Sequence, residues 1–396
     1  MPLSTLDKIT PPPQNNMRAP LPPKKLFGLD HLRTLAIALV FLFHYRMFNH
    51  PAWIDDVGSF GWTGVDLFFV LSGYLIAGQL FNSVSQGKNI SLKEFFIKRF
   101  FRIIPAYATV VAIYFLLPAF HEREALPPLW KFATFTQNFG LNLRTHGTFS
   151  HAWSLCIEEQ FYLLLPLIIT SFLYFKAGKK AAWLIGALFI GGFLLRFISW
   201  HNMVEPLIDK DGFGFTWYKW IYYPTYNRLD GLLVGISIAG LFQFYPSFKE
   251  KMTRHGNLLL LTGLIVLTGC YFLCEDPYTF AASIAGFPAV AIGYGFLVMA
   301  AVSSSCFLYR VNSRITTAIA TLSYGTYLTH KGVVHLAQQY LGKWGIAADG
   351  TLMFLLCIVI AALGALLLRH IIEKPFLKIR DRVLATRKPF VTVEKT

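Results

Sequence analysis

The chain has 396 residues, of which 55% are hydrophobic and only 14% are charged. Soluble globular proteins carry about 25% charged residues, so this composition excludes an ordinary soluble domain and indicates a polytopic membrane protein. The net charge of +15 would suggest a nucleic-acid partner in a soluble protein. Here most basic residues lie between apolar segments, so we expect no nucleic-acid partner. The five cysteines are an odd number and do not form a disulfide framework.

The predicted fold is all-α, with about ten transmembrane helices. Segment 1–25 is Pro-rich and polar and is predicted to be a disordered cytoplasmic tail. Apolar segments long enough to cross a bilayer follow at 30–50, 62–82, 103–120, 152–173, 181–200, 228–245, 257–274, 284–306, 316–337 and 351–371. Lys and Arg concentrate in every second connection, so the positive-inside rule places both termini in the cytoplasm. We expect a transmembrane domain at 26–380 and a cytoplasmic tail at 381–396.

The first apolar segment contains two ionisable residues, Arg33 and His44. Eleven residues make about three helical turns, so both side chains lie on one face, about 16 Å apart along the axis. An ionisable group within a membrane helix is costly and suggests a functional site. A snorkelling arginine and a histidine bonded to a neighbouring helix would explain the same pair.

Basic residues cluster just before the third segment, at Lys98, Arg99 and Arg102. Arg99 and Arg102 are three residues apart and share a helix face, which suits a phosphate or pyrophosphate group. Ordinary positive-inside charge in contact with anionic lipid is the alternative.

Polar residues of several segments are predicted to converge in the outer half of the membrane. They are His44 of the first segment, Asp66 of the second, His151, Ser154, Glu158 and Glu159 of the fourth, Arg228 and Asp230 of the sixth, and His330 of the ninth, with Tyr324 and Tyr327 at mid-depth. Such a set at a common depth predicts a polar cavity, and His with Glu suits acid–base chemistry at neutral pH. Glu159 points about 100° away from Glu158 and is predicted to face a neighbouring helix or the membrane interface instead.

The connections at 121–151 and 201–227 are long and contain aromatic residues such as Trp217 and Tyr218. An interfacial aromatic belt and a surface for stacking on sugar rings are both compatible with them. No HExxH or CxxC motif is present, so no metal site is expected.

Several segments together resemble the acyltransferase-3 family of integral membrane acyltransferases. The specific matches are the spacing of Arg33 and His44 and the string WSLCIEEQFY at 153–162. Supporting matches are GVDLFFVLSGYLI at 64–76, RFFRIIP at 99–105, NRLDGLLVG at 227–235 and SYGTYLTH at 323–330. They follow the family's order over nearly the whole chain.

The resemblance implies transfer of an acyl group, usually acetyl, from cytoplasmic acetyl-CoA or another acyl-CoA to a hydroxyl group. The acceptor would be a cell-envelope or exported glycan such as lipopolysaccharide, or a lipid-linked sugar, at the bacterial inner membrane. His44 would act as general base or transient acyl carrier, oriented by Glu158, with Arg33 and Asp66 in the same centre. Lys98, Arg99, Arg102 and Tyr324 would hold the donor. Trp153, Ser154, Arg228, Asp230 and His330 would contact the acceptor.

Two other functions remain open from the sequence. A transporter or flippase would use the intramembrane His, Asp and Glu as a proton relay. An inactive scaffold in an envelope-polysaccharide complex is the third interpretation.

Overall fold

A computed structural model describes residues 26–385, apart from the side chain of Lys179. These residues form helices and connections without any β-strand, which confirms the predicted all-α fold. Ten helices of 15 residues or more form the bundle: α1 Phe27–Tyr45, α2 Gly64–Ser85, α3 Leu92–Leu116, α4 Trp153–Tyr174, α5 Ala181–Ser199, α6 Asp230–Phe244, α7 Gly256–Leu273, α8 Phe287–Ala301, α9 Arg314–Lys343 and α10 Thr351–Leu368.

Eight helical stretches in the described residues are long and apolar enough to cross a membrane. A ninth arises if α6 and the following helix Pro246–Arg254, which are bent by 110°, count as one span. The remaining helix, α9, has 30 residues but carries many polar ones, of which Ser323, Thr329, His330 and Lys331 are buried. The described residues therefore contain ten long helices, as predicted, of which eight or nine are apolar enough to cross a membrane. The cytoplasmic position of both termini stays a prediction.

Short helices complete the described chain. The α-helices are Trp53–Gly58, Leu129–Ala133, Phe213–Trp217, Pro246–Arg254, Phe307–Arg310 and Lys374–Ala385. The 3-10 helices are Ser59–Thr63, Pro118–Phe120, Ser150–Ala152, Gly178–Lys180, Glu205–Leu207 and Thr225–Asn227. The π-helices are Trp200–Val204, Tyr218–Tyr222, Ala282–Gly286 and Arg369–Glu373. The predicted domain boundary at 380 falls inside Lys374–Ala385, whereas the predicted tail at 1–25 and residues 386–396 lie outside the described residues.

Helices α2 and α6 pack backbone against backbone because glycines face their contact. A Cβ atom added at Gly73 would lie 2.3 Å from the carbonyl oxygen of Leu232, and one at Gly235 would lie 2.3 Å from that of Val70. Small residues at such contacts permit the close approach that stabilises membrane helix pairs. This packing brings the first turn of α2 next to the connection that precedes α6.

Helix α1 lies inside the bundle, in contact with α2, α8 and α9. Its amino-terminal turn approaches α8 so closely that a Cβ atom at Gly28 would collide with the carbonyl oxygen of Ala301. Near its other end, Phe41 and Tyr45 pack with residues of α9 and α10. Both ionisable residues of α1 are thereby fixed at opposite ends of the interior.

Candidate functional site

Three imidazoles from three helical elements meet at one end of the bundle. The ring centroids of His44 and His330 are 4.9 Å apart, those of His151 and His330 are 4.9 Å apart, and those of His44 and His151 are 5.7 Å apart. All three side chains are buried. No group of three His, Cys, Asp or Glu residues within 26–385 is arranged to hold a metal ion.

The hydrogen bonds of His330 determine which ring nitrogen of His44 carries the hydrogen. Nδ1 of His330 lies 3.0 Å from the carbonyl oxygen of Thr326 and 2.9 Å from that of Tyr327, so it must carry a hydrogen. In neutral His330, Nε2 is therefore an acceptor. It lies 2.8 Å from Nδ1 of His44, which must donate. Nε2 of His44 is left with a lone pair and has no hydrogen-bond partner in the described part of the chain.

This pairing corrects the predicted role of Glu158 as the partner of His44. The residue that orients His44 is His330, which the sequence had assigned to acceptor binding. Glu158 lies seven residues beyond His151, which is about 10 Å along the helix axis, so it is not level with His44. It accepts a hydrogen bond of 2.8 Å from Ser72 instead.

An unusual backbone conformation positions His151. Phe149 has a φ of 54° and a ψ of 26°, a left-handed conformation that non-glycine residues rarely adopt. Packing holds it there, because its fully buried ring stacks on Tyr114 at 4.3 Å. Its amide donates a 3.1 Å hydrogen bond to Glu122. Strained backbone that is held by its surroundings is frequent at active sites.

A buried ion pair that the sequence analysis missed lies beside the imidazoles. Nζ of Lys331 is 3.0 Å from Oε1 of Glu122, and their side chains are only 1% and 2% exposed. Nζ also donates a 3.3 Å hydrogen bond to Ser150. Lys331 could have been noticed as a lysine inside an apolar segment, whereas Glu122 in a long connection gave no signal.

Two of the imidazoles, those of His44 and His151, border a small pocket, the histidine pocket, of about 20 Å³. His44, His151, Ser150, Trp153, Tyr222 and Tyr223 are among its lining residues. The predicted acceptor residue Trp153 is therefore beside His44. Burial raises the pKa of Tyr222, so its phenol remains a neutral hydrogen-bond donor at physiological pH.

A larger cleft of about 340 Å³, the aromatic cleft, adjoins this pocket. The two share five lining residues, namely Phe43, Met47, Trp62, Tyr218 and Tyr222. The cleft adds aromatic and charged side chains, namely Trp217, Tyr278, Arg46, Asp55 and Glu275. Trp217 and Tyr218 thus line a cleft next to His44, and Trp217 is buried there.

The opposite part of the interior holds a cavity of about 320 Å³, the arginine cavity. The predicted donor residues Arg99, Arg102 and Tyr324 line it, together with Arg33. Nε of Arg99 is buried without a hydrogen-bond partner among the described residues. A cavity with three guanidinium groups, one of them incompletely paired, fits an anionic ligand.

Two predictions about this cavity are wrong. Lys98 does not line it but pairs with Glu94 at 2.5 Å on the surface. Glu159, expected to face a neighbouring helix, lines the cavity together with Glu158, because the cavity spans more than one face of α4.

A hydrogen-bonded partition separates the arginine cavity from the histidine pocket. The phenol of Tyr327 donates to the carbonyl oxygen of His151 at 2.6 Å, so the hydroxyl of Ser154 must donate to the phenol oxygen, also at 2.6 Å. Ser154 lines the arginine cavity and the preceding Trp153 lines the histidine pocket. The predicted acceptor residue Ser154 therefore lies on the donor side of this partition.

Asp66, Arg228 and Asp230 form buried ion pairs and line neither the arginine cavity nor the histidine pocket. Nη2 of Arg228 lies 2.8 Å and 2.9 Å from the two carboxylate oxygens of Asp66. Arg196 pairs with Asp230 at 2.7 Å. Lone charges inside a bundle need such partners. The predicted catalytic role of Asp66 and the predicted acceptor contacts of Arg228 and Asp230 are thus replaced by structural roles.

Arg228 nevertheless supports the histidine pocket. Its guanidinium carbon lies 4.5 Å from the ring centroid of Tyr222, 5.1 Å from that of Trp153 and 4.2 Å from that of Phe287. Cation–π contacts of this kind are attractive and strengthen when desolvated. The Asp66–Arg228 pair therefore fixes two walls of the pocket that borders His44.

Several known proteins are similar to this chain. It is 28% identical to O-acetyltransferase OatA of Staphylococcus aureus over 374 residues, which cover 90% of this chain and 58% of the relative. It is 28% identical to peptidoglycan O-acetyltransferase OatA of Listeria monocytogenes over 339 residues, covering 79% of this chain and 50% of the relative. It is 27% identical to the putative peptidoglycan O-acetyltransferase YrhL of Bacillus subtilis over 375 residues, covering 88% and 54%.

The chain thus spans between 50% and 58% of the length of these relatives. No solved structure is significantly similar to it. The family described as "Acyltransferase domain" matches residues 26–370, which include His44, the arginine cavity and the histidine pocket. The resemblance noted in the sequence is therefore confirmed, and this chain belongs to the acyltransferase-3 family.

Proposed function

We propose that this protein is an O-acetyltransferase of the bacterial inner membrane, which moves an acetyl group from acetyl-CoA to a hydroxyl group of an envelope glycan. The observation that carries the proposal is the free lone pair on Nε2 of His44. The contact with His330 holds His44 in the tautomer that a general base requires. This nitrogen belongs to a residue that borders the histidine pocket, which shares five lining residues with the aromatic cleft.

The two cavities suit two different substrates. The arginine cavity offers guanidinium groups for the phosphates of the donor. The aromatic cleft offers flat rings and hydrogen-bonding groups such as Asp55 and Glu275, which suit a sugar. Because relatives are named peptidoglycan O-acetyltransferases, a peptidoglycan strand is the first acceptor to test.

The proposed chemistry needs one proton transfer through His44. Nε2 accepts the proton of the acceptor hydroxyl while the hydroxyl oxygen bonds to the thioester carbonyl carbon. The carbon–sulfur bond then breaks, and His44 returns the proton to the departing sulfur, which leaves as a thiol. His330 holds Nδ1 of His44 throughout and stabilises the positive charge that develops on the ring.

Purified protein with radiolabelled acetyl-CoA and a soluble peptidoglycan strand tests this function. We expect label to appear in the strand as an alkali-labile ester, and His44→Ala to abolish the transfer. Labelled strand of equal yield with His44→Ala would refute the role of His44. Absence of label with the wild-type protein, for peptidoglycan and other envelope glycans alike, would refute the proposed activity.

A further inference from the structure

The carboxylate of Glu158 is held in place inside the arginine cavity without an ionic partner. Ser72 donates to its Oε1 at 2.8 Å, and the phenol of Tyr162 lies 3.3 Å from its Oε2. Although Arg33, Arg99 and Arg102 line the same cavity, none of them lies within 4.0 Å of this carboxylate. A carboxylate has about four acceptor positions, so acceptor capacity remains toward the cavity.

The depth of Glu158 can be derived from two helices. Glu158 is about 10 Å from His151 along α4, since seven residues separate them. On α2, Ser72 contacts Glu158, and Gln79, seven residues further, contacts Arg99 at 3.4 Å. The backbone of Gln79 lies about 10 Å beyond that of Ser72 along α2, so the imidazoles, the carboxylate and the guanidinium follow one another in this order through the interior.

The donor proposed above has matching groups along its length. With standard bond lengths, the two amide nitrogens of an extended pantetheine arm lie about 4 and 9 Å from the sulfur, and the first phosphate about 16 Å from it. Placing the thioester beside His44 requires the hydrogen bond between Ser154 and Tyr327 to open. The second amide nitrogen, about 9 Å from the sulfur, then lies at the level of Glu158, and the phosphate, about 16 Å from the sulfur, lies beyond it on the side of Arg99.

We infer that Glu158 binds an amide N–H of the pantetheine arm of the donor. This inference rests on the proposed function and assigns Glu158 to donor binding rather than to the orientation of His44. Amide N–H groups are hydrogen-bond donors of the arm that would pass this level, and a carboxylate is a strong acceptor for them. Ser72 and Tyr162 fix the carboxylate and serve as positioning residues.

Donors of decreasing length test the inference. Acetyl-CoA carries amides and phosphates, S-acetylpantetheine carries the amides alone, and S-propyl thioacetate carries neither. Thiol release would be measured with the soluble peptidoglycan strand as acceptor. We expect Glu158→Leu to lower kcat/KM about 10- to 100-fold for the first two donors, mainly through KM, and to leave the third within twofold.

Matched variants separate this subsite from its surroundings. Glu250→Leu, which removes an exposed carboxylate that pairs with Arg254 outside the cavity, is expected to change kcat/KM for all three donors by less than threefold. Arg99→Ala is expected to raise KM for acetyl-CoA and to leave KM for S-acetylpantetheine unchanged. Glu158→Gln, which retains an acceptor oxygen, should lose less than Glu158→Leu. If Glu158→Leu does not fold, an N-methylated S-acetylpantetheine given to the wild-type protein should show the same loss.

Two outcomes would overturn the inference. An equal loss with all three donors, through kcat, would show that Glu158 acts on the transfer step itself. An N-methylated donor as good as its parent would exclude the amide contact. A wild-type protein that releases no thiol from any donor would instead overturn the proposed function, which is a separate result.

Discussion

The contact between His44 and His330 predicts how activity depends on a residue that need not touch either substrate. In His330→Ala, Nδ1 of His44 loses its 2.8 Å acceptor. Losing a neutral hydrogen bond costs about 0.5–1.5 kcal/mol, and the free imidazole also populates the wrong tautomer. Together these effects predict a loss of about 10- to 100-fold in kcat, which is the range found when the hydrogen-bond partner of a metal-bound histidine is removed.

His330→Gln provides the decisive comparison, because its side-chain oxygen can accept from Nδ1 of His44. We expect it to recover most of kcat, whereas KM for both substrates stays within about twofold in either variant. Nitrogen NMR of the ring should show the tautomer of His44 changing in His330→Ala. His335→Ala is the matched control, because His335 lies on the same helix and its ring contacts Gln339 rather than His44. Full activity of His330→Ala, or equal failure of the Gln and Ala variants, would refute the tautomer argument.

Three further outcomes are expected. His44→Ala should abolish transfer while leaving expression and membrane insertion near normal, as measured by transfer of radiolabel and by yield in detergent. Arg99→Ala combined with Arg102→Ala should weaken coenzyme A binding in calorimetry by about a hundredfold or more, because each charge-assisted contact contributes about 1.5–3 kcal/mol. Asp66→Asn should lower the free energy of unfolding by about 3–5 kcal/mol, because the charge of Arg228 stays buried without its partner. Adding Arg228→Met should recover most of that loss.

The sequence alone predicted the relative positions of residues that belong to the same helix. The eleven-residue spacing on α1 predicted that Arg33 and His44 lie about 16 Å apart along the axis. The two residues line different cavities, so the prediction that Arg33 belongs to the same centre as His44 is wrong. Arg99 and Arg102 likewise face a common cavity, as their three-residue spacing predicted. Spacing within one helix fixes rise and rotation, so such statements need no knowledge of the neighbours.

The sequence did not predict which residues of different helices contact each other. His330 is 286 positions from His44, and nothing in either segment indicates that the two rings meet. Asp66 and Arg228 were recognised as costly intramembrane charges, yet only helix packing shows that they pair with each other. Grouping residues by the half of the membrane also placed Glu158 level with His44, although the seven residues from His151 correspond to about 10 Å.

The partition formed by Tyr327 and Ser154 has a consequence for the energy supply of the cell. A cavity that reached from one end of the bundle to the other would conduct protons and dissipate the electrochemical gradient of the membrane. Between the arginine cavity and the histidine pocket, a serine hydroxyl, a phenol and the carbonyl oxygen of His151 are instead joined by two hydrogen bonds of 2.6 Å. Under the proposed function, this pair must part to let the thioester pass and must re-form afterwards, which would keep the two cavities separate between turnovers.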